Sequence, residues 1–214
     1  MKDILIFGVQ WSWKSTQAQE LLNKYNDKFN YFESGNILRS LKHNDNALGN
    51  YVKKRINKWK MINDGFMLSL FEAYLIALWK DQSMLIDGFP RTMAQAYLFY
   101  DKVKRLKRNI LVISLELPKK ESIRRLSWRR LCKKCNKIYN KAFEPDLKTC
   151  HECGEELTVR KDDKPEIVKE RISAYYEQTS PVLDFFDDVG VLKKINADRW
   201  IQPIRNDIIN SLDS

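Results

Sequence analysis

Short apolar runs alternate along this chain with longer segments in which apolar residues recur every three or four positions. The first kind of run is typical of buried strands and the second of helices packed on a core. The strand–helix pairs are Ile4–Phe7 with Thr16–Tyr25, Met84–Ile86 with Met93–Val103, and Ile110–Leu117 with Lys120–Leu126; a further strand is expected at Val191–Ala197 and a last helix from about Pro203. This alternation predicts an α/β fold, a doubly wound parallel sheet with flanking helices.

Two segments interrupt the alternation. Residues 34 to about 64 are helical and polar and contain no strand of their own, and residues 132 to about 163 are rich in turns and contain all four cysteines. Both are expected to be insertions mounted on the α/β core. The predicted division is a core of residues 1–33, 63–125 and 164–214, a first insertion of residues 34–62 and a second of residues 126–163.

Composition places the chain among ordinary globular proteins, with 214 residues, 43% hydrophobic and 31% charged. The apolar start, Ile4–Phe7 behind Asp3, is too short for a signal peptide or a membrane span, so a cytosolic protein without a membrane partner is expected. The net charge of +10 suits an anionic partner or a lysine-rich solvated surface. No nucleic-acid partner is expected, because the basic residues form no single run and accompany no recognition motif.

A candidate phosphate-binding loop follows the first predicted strand. Gly8, Lys14 and Ser15 have the spacing of the pattern GxxxxGK[ST], in which backbone N–H groups surround phosphates and the lysine reaches their oxygens. The pattern requires a glycine before the lysine, and this chain has Trp13 there. Taken alone, the defect weakens the prediction of a nucleotide site.

A second candidate site is the hexapeptide DGFPRT, Asp87–Thr92, at the end of the second predicted strand. In doubly wound sheets ligands bind at the carboxyl ends of the strands. Asp87 could hold Mg²⁺ through water, and Arg91 could pair with a phosphate through two hydrogen bonds. In isolation the hexapeptide could equally be a turn.

The four cysteines are arranged as CxxC–x14–CxxC, with Cys132 and Cys135 in one pair and Cys150 and Cys153 in the other. Each pair can hold one edge of a tetrahedral ion, so the spacing predicts a structural Zn²⁺ site bound by four thiolates. Two disulfides or free thiols are the alternatives; the spacing favours the metal site over both, and disulfides are rare in the cytosol. With four sulfur ligands no position is left for catalysis, and His151 is expected not to be a ligand.

The motifs KSTQAQ, SGNILRS and DGFPRT, in this order, resemble those of the adenylate kinases, and RRLSWRRLC, LTVRKDD and VKERISAYYEQTSPV complete the pattern. The resemblance runs from Lys2 to about Asn210. It implies reversible phosphoryl transfer from Mg·ATP to AMP, giving two ADP, by a monomer. The first insertion would then bind AMP, and the second would be a mobile lid whose cysteines form a zinc knuckle.

Site residues follow from the matching positions. The residues expected at ATP are Gly8, Trp11, Ser12, Trp13, Lys14, Ser15, Thr16, Arg125, Arg129 and Arg199. Those expected at AMP are Ser34, Gly35, Arg39, Lys60, Met61, Ile62, Gly88, Arg91, Gln95, Arg160 and Arg171. The catalytic set is Lys14, Asp87, Arg91, Arg129, Arg160 and Arg171. Asp162 and Asp163 follow the family's lid hinge. Each arginine alone could be a surface charge, and only its position in a motif assigns it a role.

One acidic position of the family is changed. The family usually has a carboxylate where Asn36 stands, often as a helper for Mg²⁺. Asparagine keeps hydrogen-bonding capacity but loses the charge, which puts that role in doubt. Ser34 replaces a frequent threonine and keeps the hydroxyl group.

Tryptophans stand where the family has glycines. Trp11 and Trp13 replace two loop glycines, Trp59 the glycine of the AMP-site turn, and Trp128 the glycine of "SGRR". Of the other two, Trp79 follows the helical stretch Met67–Leu78 where a glycine cap is expected, and Trp200 is the least clear.

A single cause would account for these positions. The chain has seven glycines and six tryptophans, and reading all six as glycine would bring the glycine content near its usual frequency of roughly 7%. Our hypothesis is that UGA codons, which some bacterial lineages translate as glycine, were translated as tryptophan. Taken literally, the indoles would compete with phosphates for the loop.

Two alternatives to the adenylate kinase reading remain. Within the same enzyme class the protein could prefer UMP or CMP, although the long cysteine-bearing lid and Thr92 favour AMP. In another class it could be a catalytically impaired zinc scaffold if Trp11 and Trp13 are genuine, and could bind nucleic acid through its positive charge. Retention of the arginine set argues against the scaffold.

Overall fold

The computed structural model describes residues 1–25, 28–58, 60–78, 82–135, 137–141, 144–159 and 165–212, without the side chains of Pro165, Glu166 and Arg171. The strands are β1 (Asp3–Gly8), β2 (Phe29–Glu33), β3 (Ser83–Asp87), β4 (Ile110–Glu116), β5 (Arg129–Cys132), β6 (Ile138–Asn140), β7 (Leu157–Thr158) and β8 (Leu192–Asn196). The helices are α1 (Lys14–Tyr25), α2 (Ser34–Leu41), α3 (Ala47–Asn57), α4 (Asp64–Ala77), α5 (Met93–Arg105), α6 (Lys119–Ser127), α7 (Pro165–Ala174), α8 (Ser180–Asp188) and α9 (Ile201–Leu212). A π-helical turn, Tyr175–Thr179, joins α7 to α8.

The core of the molecule is a five-stranded parallel sheet with the order β2-β3-β1-β4-β8. Successive residues of β1 point to opposite faces, as the pleat requires. Ile4 and Ile6 pack with α1 and α9, whereas Leu5 and Phe7 pack with α4, α5 and α8. Helices therefore cover both faces of the sheet, and the predicted fold class is confirmed.

Strand β2 was not predicted from the sequence. Its residues, FNYFE, show no regular alternation of apolar and polar side chains, and the two that are buried, Phe29 and Phe32, are three positions apart. The pairing of β2 with β3 brings Glu33 level with Asp87 at the carboxyl ends of the two strands. This edge of the sheet also receives the end of β1, where Ile6 pairs with Asp87.

The helices that frame this edge begin at recognisable caps. Asn63 accepts a hydrogen bond from the backbone N–H of Phe66 at the start of α4, and Thr92 accepts one from the N–H of Gln95 at the start of α5. Such side chains satisfy backbone donors that have no partner within the helix. The positions of Gln95 and of the chain that follows α3 are fixed by these caps.

The cysteine-bearing segment has its own small antiparallel sheet, with β5 between β6 and β7. The sequence predicted turns here and missed this sheet, because its strands have only two to four residues. Strand β5 runs from Arg129 to Cys132, so a candidate phosphate ligand and a candidate zinc ligand share one strand. Among the described residues, none of the helices combines the length and apolar character that crossing a membrane demands.

Candidate functional site

The predicted phosphate loop lies between β1 and α1, at the carboxyl edge of the sheet. Its turn is held by Ser12, which is buried and donates from both its backbone N–H and its Oγ to the carbonyl oxygen of Val9, over 3.3 and 3.0 Å. Ser15 and Thr16 lie in the first turn of α1. The loop backbone thus has the strand–loop–helix setting that anion binding at a helix N-terminus requires.

Two residues of this loop have left-handed backbone conformations. The φ angle is 64° at Trp11 and 68° at Trp13. Side chains with a Cβ strain this region of backbone space, and glycine occupies it freely. The positions that the motif assigns to glycine are therefore the positions whose backbone favours glycine.

Lys14 lies over the loop and donates from Nζ to the carbonyl oxygens of Gly8 and Val9, over 2.7 and 2.8 Å. Its ammonium group is thereby held at the mouth of the loop. A phosphate bound there would meet both this charge and the positive end of α1.

The two loop indoles contact each other and two of the predicted ATP-binding arginines. The rings of Trp11 and Trp13 meet edge to face with centroids 5.7 Å apart. The guanidinium of Arg125 lies 5.3 Å from the Trp13 ring and that of Arg129 lies 5.5 Å from the Trp11 ring. Such cation–π contacts stabilise a guanidinium by about 0.5–2 kcal/mol each, depending on its desolvation.

Arg125 is also anchored by polar partners. Its guanidinium contacts the carboxylates of Glu121 and Asp198, over 2.7 and 3.1 Å, and donates to the carbonyl oxygen of Ala197 over 3.1 Å. Arg125 is buried, so these partners fix its guanidinium next to the chain after β8.

A cleft of about 510 Å³ opens beside Arg125. Its lining includes Trp13, Trp128, Arg199 and Trp200, and so joins the phosphate loop to the chain after β8. Arg199 donates from Nε to the carbonyl oxygen of Asn196 and pairs with Asp207. Arg199, which is predicted to lie at ATP, therefore lines the same cleft as Trp13 of the phosphate loop.

The second half of the site is built on Gly88, which follows β3 with a φ of 81°. Its carbonyl oxygen accepts hydrogen bonds from Ser34 Oγ, over 2.7 Å, and from Arg91 Nε, over 2.8 Å. A Cβ at residue 88 would lie 2.6 Å from Ser34 Oγ and 3.0 Å from Arg91 Nη2. Glycine is needed here both for the backbone angle and for the close approach.

Gln95 extends this half of the site towards α4. Its Oε1 accepts from the backbone N–H of Arg91 over 2.8 Å, and its Nε2 donates to Asp64 Oδ1 over 2.7 Å. The Thr92 hydroxyl donates to the same carboxylate oxygen over 3.1 Å. Asp64 was not among the predicted site residues. It fixes the side-chain amide of Gln95, which was.

Arg39 belongs to a three-residue cluster at the end of β2 and the start of α2. Its Nη2 contacts Glu33 Oε1 over 3.0 Å and Asn36 Oδ1 over 2.7 Å. Asn36 in turn donates from Nδ2 to Glu33 Oε2 over 2.7 Å. Glu33 was not predicted to be a site residue, because β2 itself was missed.

Asp87 is the buried acid at the centre of the site. Burial raises the pKa of its carboxyl above the ordinary value, and the positive charges of Lys14, Arg91 and Arg39 oppose that rise. Burial and the negative charge of Asp87 likewise raise the pKa of Glu33, against the effect of Arg39. Lys14 and the two arginines therefore act on one carboxylate, which links the two halves of the site.

The turn after α3 carries the predicted AMP residues Lys60, Met61 and Ile62. The Met61 carbonyl oxygen accepts from Arg55 Nε over 2.8 Å, and the Lys60 N–H donates to the Arg55 carbonyl oxygen over 3.0 Å. Ile62 is buried and Lys60 exposed. Arg55 was not predicted to belong to the site. Its hydrogen bonds hold the backbone of the turn whose residues were predicted to contact AMP.

Several predictions fall outside the described residues. They are those for Trp59, Trp79, Arg160, Asp162 and Asp163. Arg171 lies on α7, and its side chain is not described. Gly35 lies in the first turn of α2, where a Cβ would be 3.0 Å from Arg39 Nη1.

The four cysteines form one cluster, as their spacing predicted. The Sγ atoms all lie within 4.8 Å of one another, with Cys132–Cys153 at 3.4 Å, Cys135–Cys150 at 3.5 Å and Cys135–Cys153 at 3.8 Å. No disulfide joins any of the four. In a tetrahedral site with Zn–S bonds of 2.3 Å, neighbouring sulfurs would be about 3.8 Å apart, so the cluster fits Zn²⁺.

The hydroxyl group of Tyr139 favours the thiolate form of one member of the cluster, Cys150. A hydrogen bond from the Tyr139 hydroxyl, 3.1 Å from Sγ, lowers the pKa of Cys150 to about 6. Tyr139 also accepts a hydrogen bond from the backbone N–H of His151. The imidazole Nε2 of His151 is 2.6 Å from Glu144 Oε2, so His151 faces a carboxylate and is absent from the sulfur cluster.

Comparison with known proteins agrees with this arrangement. The family model described as "Adenylate kinase" matches residues 6–191. A protein named adenylate kinase from Staphylococcus aureus (strain Mu50 / ATCC 700699) is 32% identical over 214 residues, covering 99% of each chain. A second protein of that name, from Desulfitobacterium hafniense (strain DSM 10664 / DCB-2), is 31% identical over 212 residues, covering 98% of this chain and 97% of the relative.

Proposed function

Because the chain belongs to the adenylate kinase family, a family of phosphotransferases, we propose that it transfers the γ-phosphoryl group of Mg·ATP to AMP and forms two ADP. The observation that carries this proposal is that Lys14, fixed over the phosphate loop, and Arg91, fixed on Gly88 directly after Asp87, lie at the same edge of the sheet. Phosphoryl transfer depends on positioning and charge neutralisation, which such a cluster of fixed charges supplies.

On the ATP side, Lys14 and the backbone from Gly8 to Thr16 would hold the phosphates. Arg125 and Arg129 would neutralise the charge that develops on the transferring group, and the 510 Å³ cleft beside Arg199 would receive the adenosine. Arg125 is already fixed by carboxylates and a carbonyl oxygen, so little reorganisation would accompany its role once residue 13 is glycine.

On the AMP side, Arg39 and Arg91 would bind the acceptor phosphate. Ser34, Gln95 and the backbone of residues 60–62 would recognise the nucleoside. The attacking phosphate oxygen of AMP is already anionic, so the reaction needs no general base. His43 and His151, the two histidines, are accordingly not placed in the site.

Two metal ions enter this proposal with different roles. Mg²⁺ would come with ATP and neutralise its phosphates, and Asp87, a hard oxygen ligand beside Lys14, would hold water in that ion's shell. Zn²⁺ would be held by Cys132, Cys135, Cys150 and Cys153, with no open position for chemistry. Residues 126–163 would then be a lid, and residues 34–62 an AMP-binding unit on the core of residues 1–33, 63–125 and 164–214.

The loop tryptophans limit this activity in the chain as printed. For Arg125 and Arg129 to bind phosphates, they must leave the Trp13 and Trp11 rings. We expect tight ATP binding only when residues 11 and 13 are glycine, as the UGA hypothesis requires.

A coupled assay of ADP formation tests the function. With AMP as acceptor, the Trp11→Gly/Trp13→Gly variant should form two ADP per ATP consumed; with UMP or CMP it should form one ADP and one UDP or CDP, and more slowly. A preference for UMP or CMP would reassign the acceptor, and a variant that binds zinc and both nucleotides without turnover would support a scaffold. The same preparation should elute as a monomer in size-exclusion chromatography.

A further inference from the structure

Glu33 lies next to Asp87, and the sequence alone did not predict this neighbour. It is the last residue of β2 and the register partner of Asp87 in β3. Because the strands are parallel, both carboxylates emerge at the same edge of the sheet. The edge therefore carries one more acid than the motifs assign to it.

The Glu33 carboxylate is part of a closed ring of hydrogen bonds. Glu33 Oε1 accepts from Arg39 Nη2, Asn36 Oδ1 accepts from the same nitrogen, and Asn36 Nδ2 donates to Glu33 Oε2. Asn36 and Arg39 are three residues apart on α2 and so share a face of the helix. Each of the three side chains is thus restrained by the other two.

The ring leaves part of the Arg39 guanidinium available. Both bonds that Arg39 makes with described residues use Nη2, whereas a guanidinium has five N–H donors on three nitrogens. The hydrogens of Nη1 and that of Nε point to opposite sides of the guanidinium, so they form no fork with each other, and the two Nη1 hydrogens remain for an anion. Nη1 rests against Gly35, where a Cβ would be only 3.0 Å away.

Without the ring, electrostatics would move Arg39 outward. The positive charges of Arg39 and Arg91 oppose each other at this site. The Arg39 side chain is 41% exposed, so a path to solvent is open. A carboxylate bonded to Nη2 offsets that repulsion and keeps the guanidinium at the site.

We propose that Glu33, bridged by Asn36, is the positioning residue for Arg39, so that Arg39 presents its Nη1 hydrogens to the acceptor phosphate. This inference rests on the proposed function, because it assigns Arg39 to AMP. It also accounts for Asn36: an aspartate there would lose the Nδ2 donor and set a second carboxylate 2.7 Å from that of Glu33. The acidic charge of this cluster is at residue 33, where it acts on the arginine.

The test is a double-mutant cycle on AMP binding, measured by calorimetry with neither ATP nor Mg²⁺ present. Glu33→Ala should weaken AMP binding about fivefold or more, and Glu33→Gln, which keeps an acceptor, should weaken it less. In an Arg39→Ala background, Glu33→Ala should have no further effect, because Glu33 acts through Arg39. Thermal melts confirm that each variant is folded.

A matched control is Glu72→Ala, which removes an exposed carboxylate paired with Lys102 and should leave AMP affinity unchanged. Tighter AMP binding by Glu33→Ala, or an equal loss in the Arg39→Ala background, would overturn the inference. So would an unchanged AMP affinity accompanied by a higher Mg²⁺ requirement for turnover, which would assign Glu33 to the metal. If the unaltered chain binds no AMP, the proposed function itself fails; if it binds AMP and Glu33 has no effect, only this inference fails.

Discussion

The two halves of the site solve the same problem with different residues. In the proposed function, both place a left-handed backbone turn and arginines beside a phosphate. On the acceptor side, Gly88 makes the turn at a φ of 81°, and Arg39 and Arg91 contact carboxylate and carbonyl oxygens. On the ATP side, tryptophans at 64° and 68° make the turn, and Arg125 and Arg129 contact indole rings, while carboxylates also hold Arg125.

The ATP side differs from the acceptor side in the identity of the side chains and keeps the same kind of backbone turn. The backbone of the phosphate loop keeps the geometry that glycine allows, and the arginines around it are retained. Strained backbone conformations cost free energy, and they are found mainly at functional sites, where the surrounding structure enforces them. The left-handed angles at residues 11 and 13 therefore support the hypothesis that these tryptophans stand for glycines.

Trp128 does not have the left-handed backbone conformation of Trp11 and Trp13. Trp128 ends α6 with a φ of −88°, which any residue adopts, and its ring lies 4.6 Å from the Arg124 guanidinium. Its assignment to glycine rests on the motif alone. UGG codons at positions 11, 13, 59 and 128 would refute the hypothesis for all of them.

The largest effect is expected at the zinc cluster, because structural zinc sites contribute about 10–16 kcal/mol of apparent binding energy. Cys150→Ser should abolish stoichiometric zinc in elemental analysis and remove hydrogen-exchange protection from β5 to β7. AMP affinity should change little, since Arg160 is the one residue of the expected AMP set that belongs to the cysteine-bearing segment 126–163. His151→Ala is the matched control and should keep one zinc; loss of zinc from it would make His151 a ligand.

The next effect concerns the loop. Trp11→Gly with Trp13→Gly should tighten Mg·ATP binding about tenfold or more, because two cation–π contacts of about 0.5–2 kcal/mol no longer compete for the arginines. Calorimetry measures it. Equal affinities in both proteins would contradict the contrast between the two halves.

Lys107→Gly is the control for backbone strain. Lys107 also has a positive φ, 52°, and is exposed after α5, away from the site. Glycine there should raise the free energy of unfolding without changing ATP affinity. A gain in ATP affinity from Lys107→Gly would mean that general stabilisation explains the loop result.

On the acceptor side, Gly88→Ala should weaken AMP binding about tenfold, since a strained φ costs about 1–3 kcal/mol and the new Cβ would displace Ser34 and Arg91. Gly190→Ala has a similar φ, 74°, with nothing within 4 Å of the added Cβ. It should lose stability and keep AMP affinity. If both variants lost AMP affinity to a similar extent, backbone strain, and not the contacts of Gly88, would explain the loss.

The smallest effect is on stability. The pKa of Asp87 is higher in the folded chain than in the unfolded one, so its contribution to stability is present below the unfolded pKa and lost as pH rises through the folded pKa. Asp87→Asn should therefore raise the melting temperature at neutral pH, by about 2–4 °C for each kcal/mol recovered, while turnover is lost.

The pH series distinguishes this from a general effect. The melting temperature of the unaltered chain should fall relative to that of Asp87→Asn as pH rises above the ordinary aspartate range. Asp101→Asn, at an exposed ion pair with Arg105, should show no such divergence. A lower melting temperature for Asp87→Asn at neutral pH would contradict the sign.

Much of the fold was predictable because its strands are strongly apolar. β1, β3 and β4 and the helices after them follow from runs that only a buried parallel sheet explains. β2 has Asn30 and Tyr31 between its two buried phenylalanines, and its identity depends on pairing with β3. That tertiary contact leaves no periodic signal in five residues.

The site divides in the same way. Lys14, Asp87, Arg91 and the cysteines were found because motifs fix their spacing. Glu33, Arg55 and Asp64 were missed because each acts on another residue of the site through a contact that only the folded chain creates. Sequence motifs identify the side chains that are expected to contact ligands. They do not identify the side chains that hold those residues in place.

Strand β5 has only four residues, with Arg129 at its first position and Cys132 at its last. At about 3.3 Å per residue, the arginine and the sulfur are separated by roughly 10 Å of extended backbone. In so short a strand, a shift of the cysteines would also shift the arginine. If the cysteines bind zinc and Arg129 binds phosphate, as proposed, the supply of zinc would also limit phosphoryl transfer.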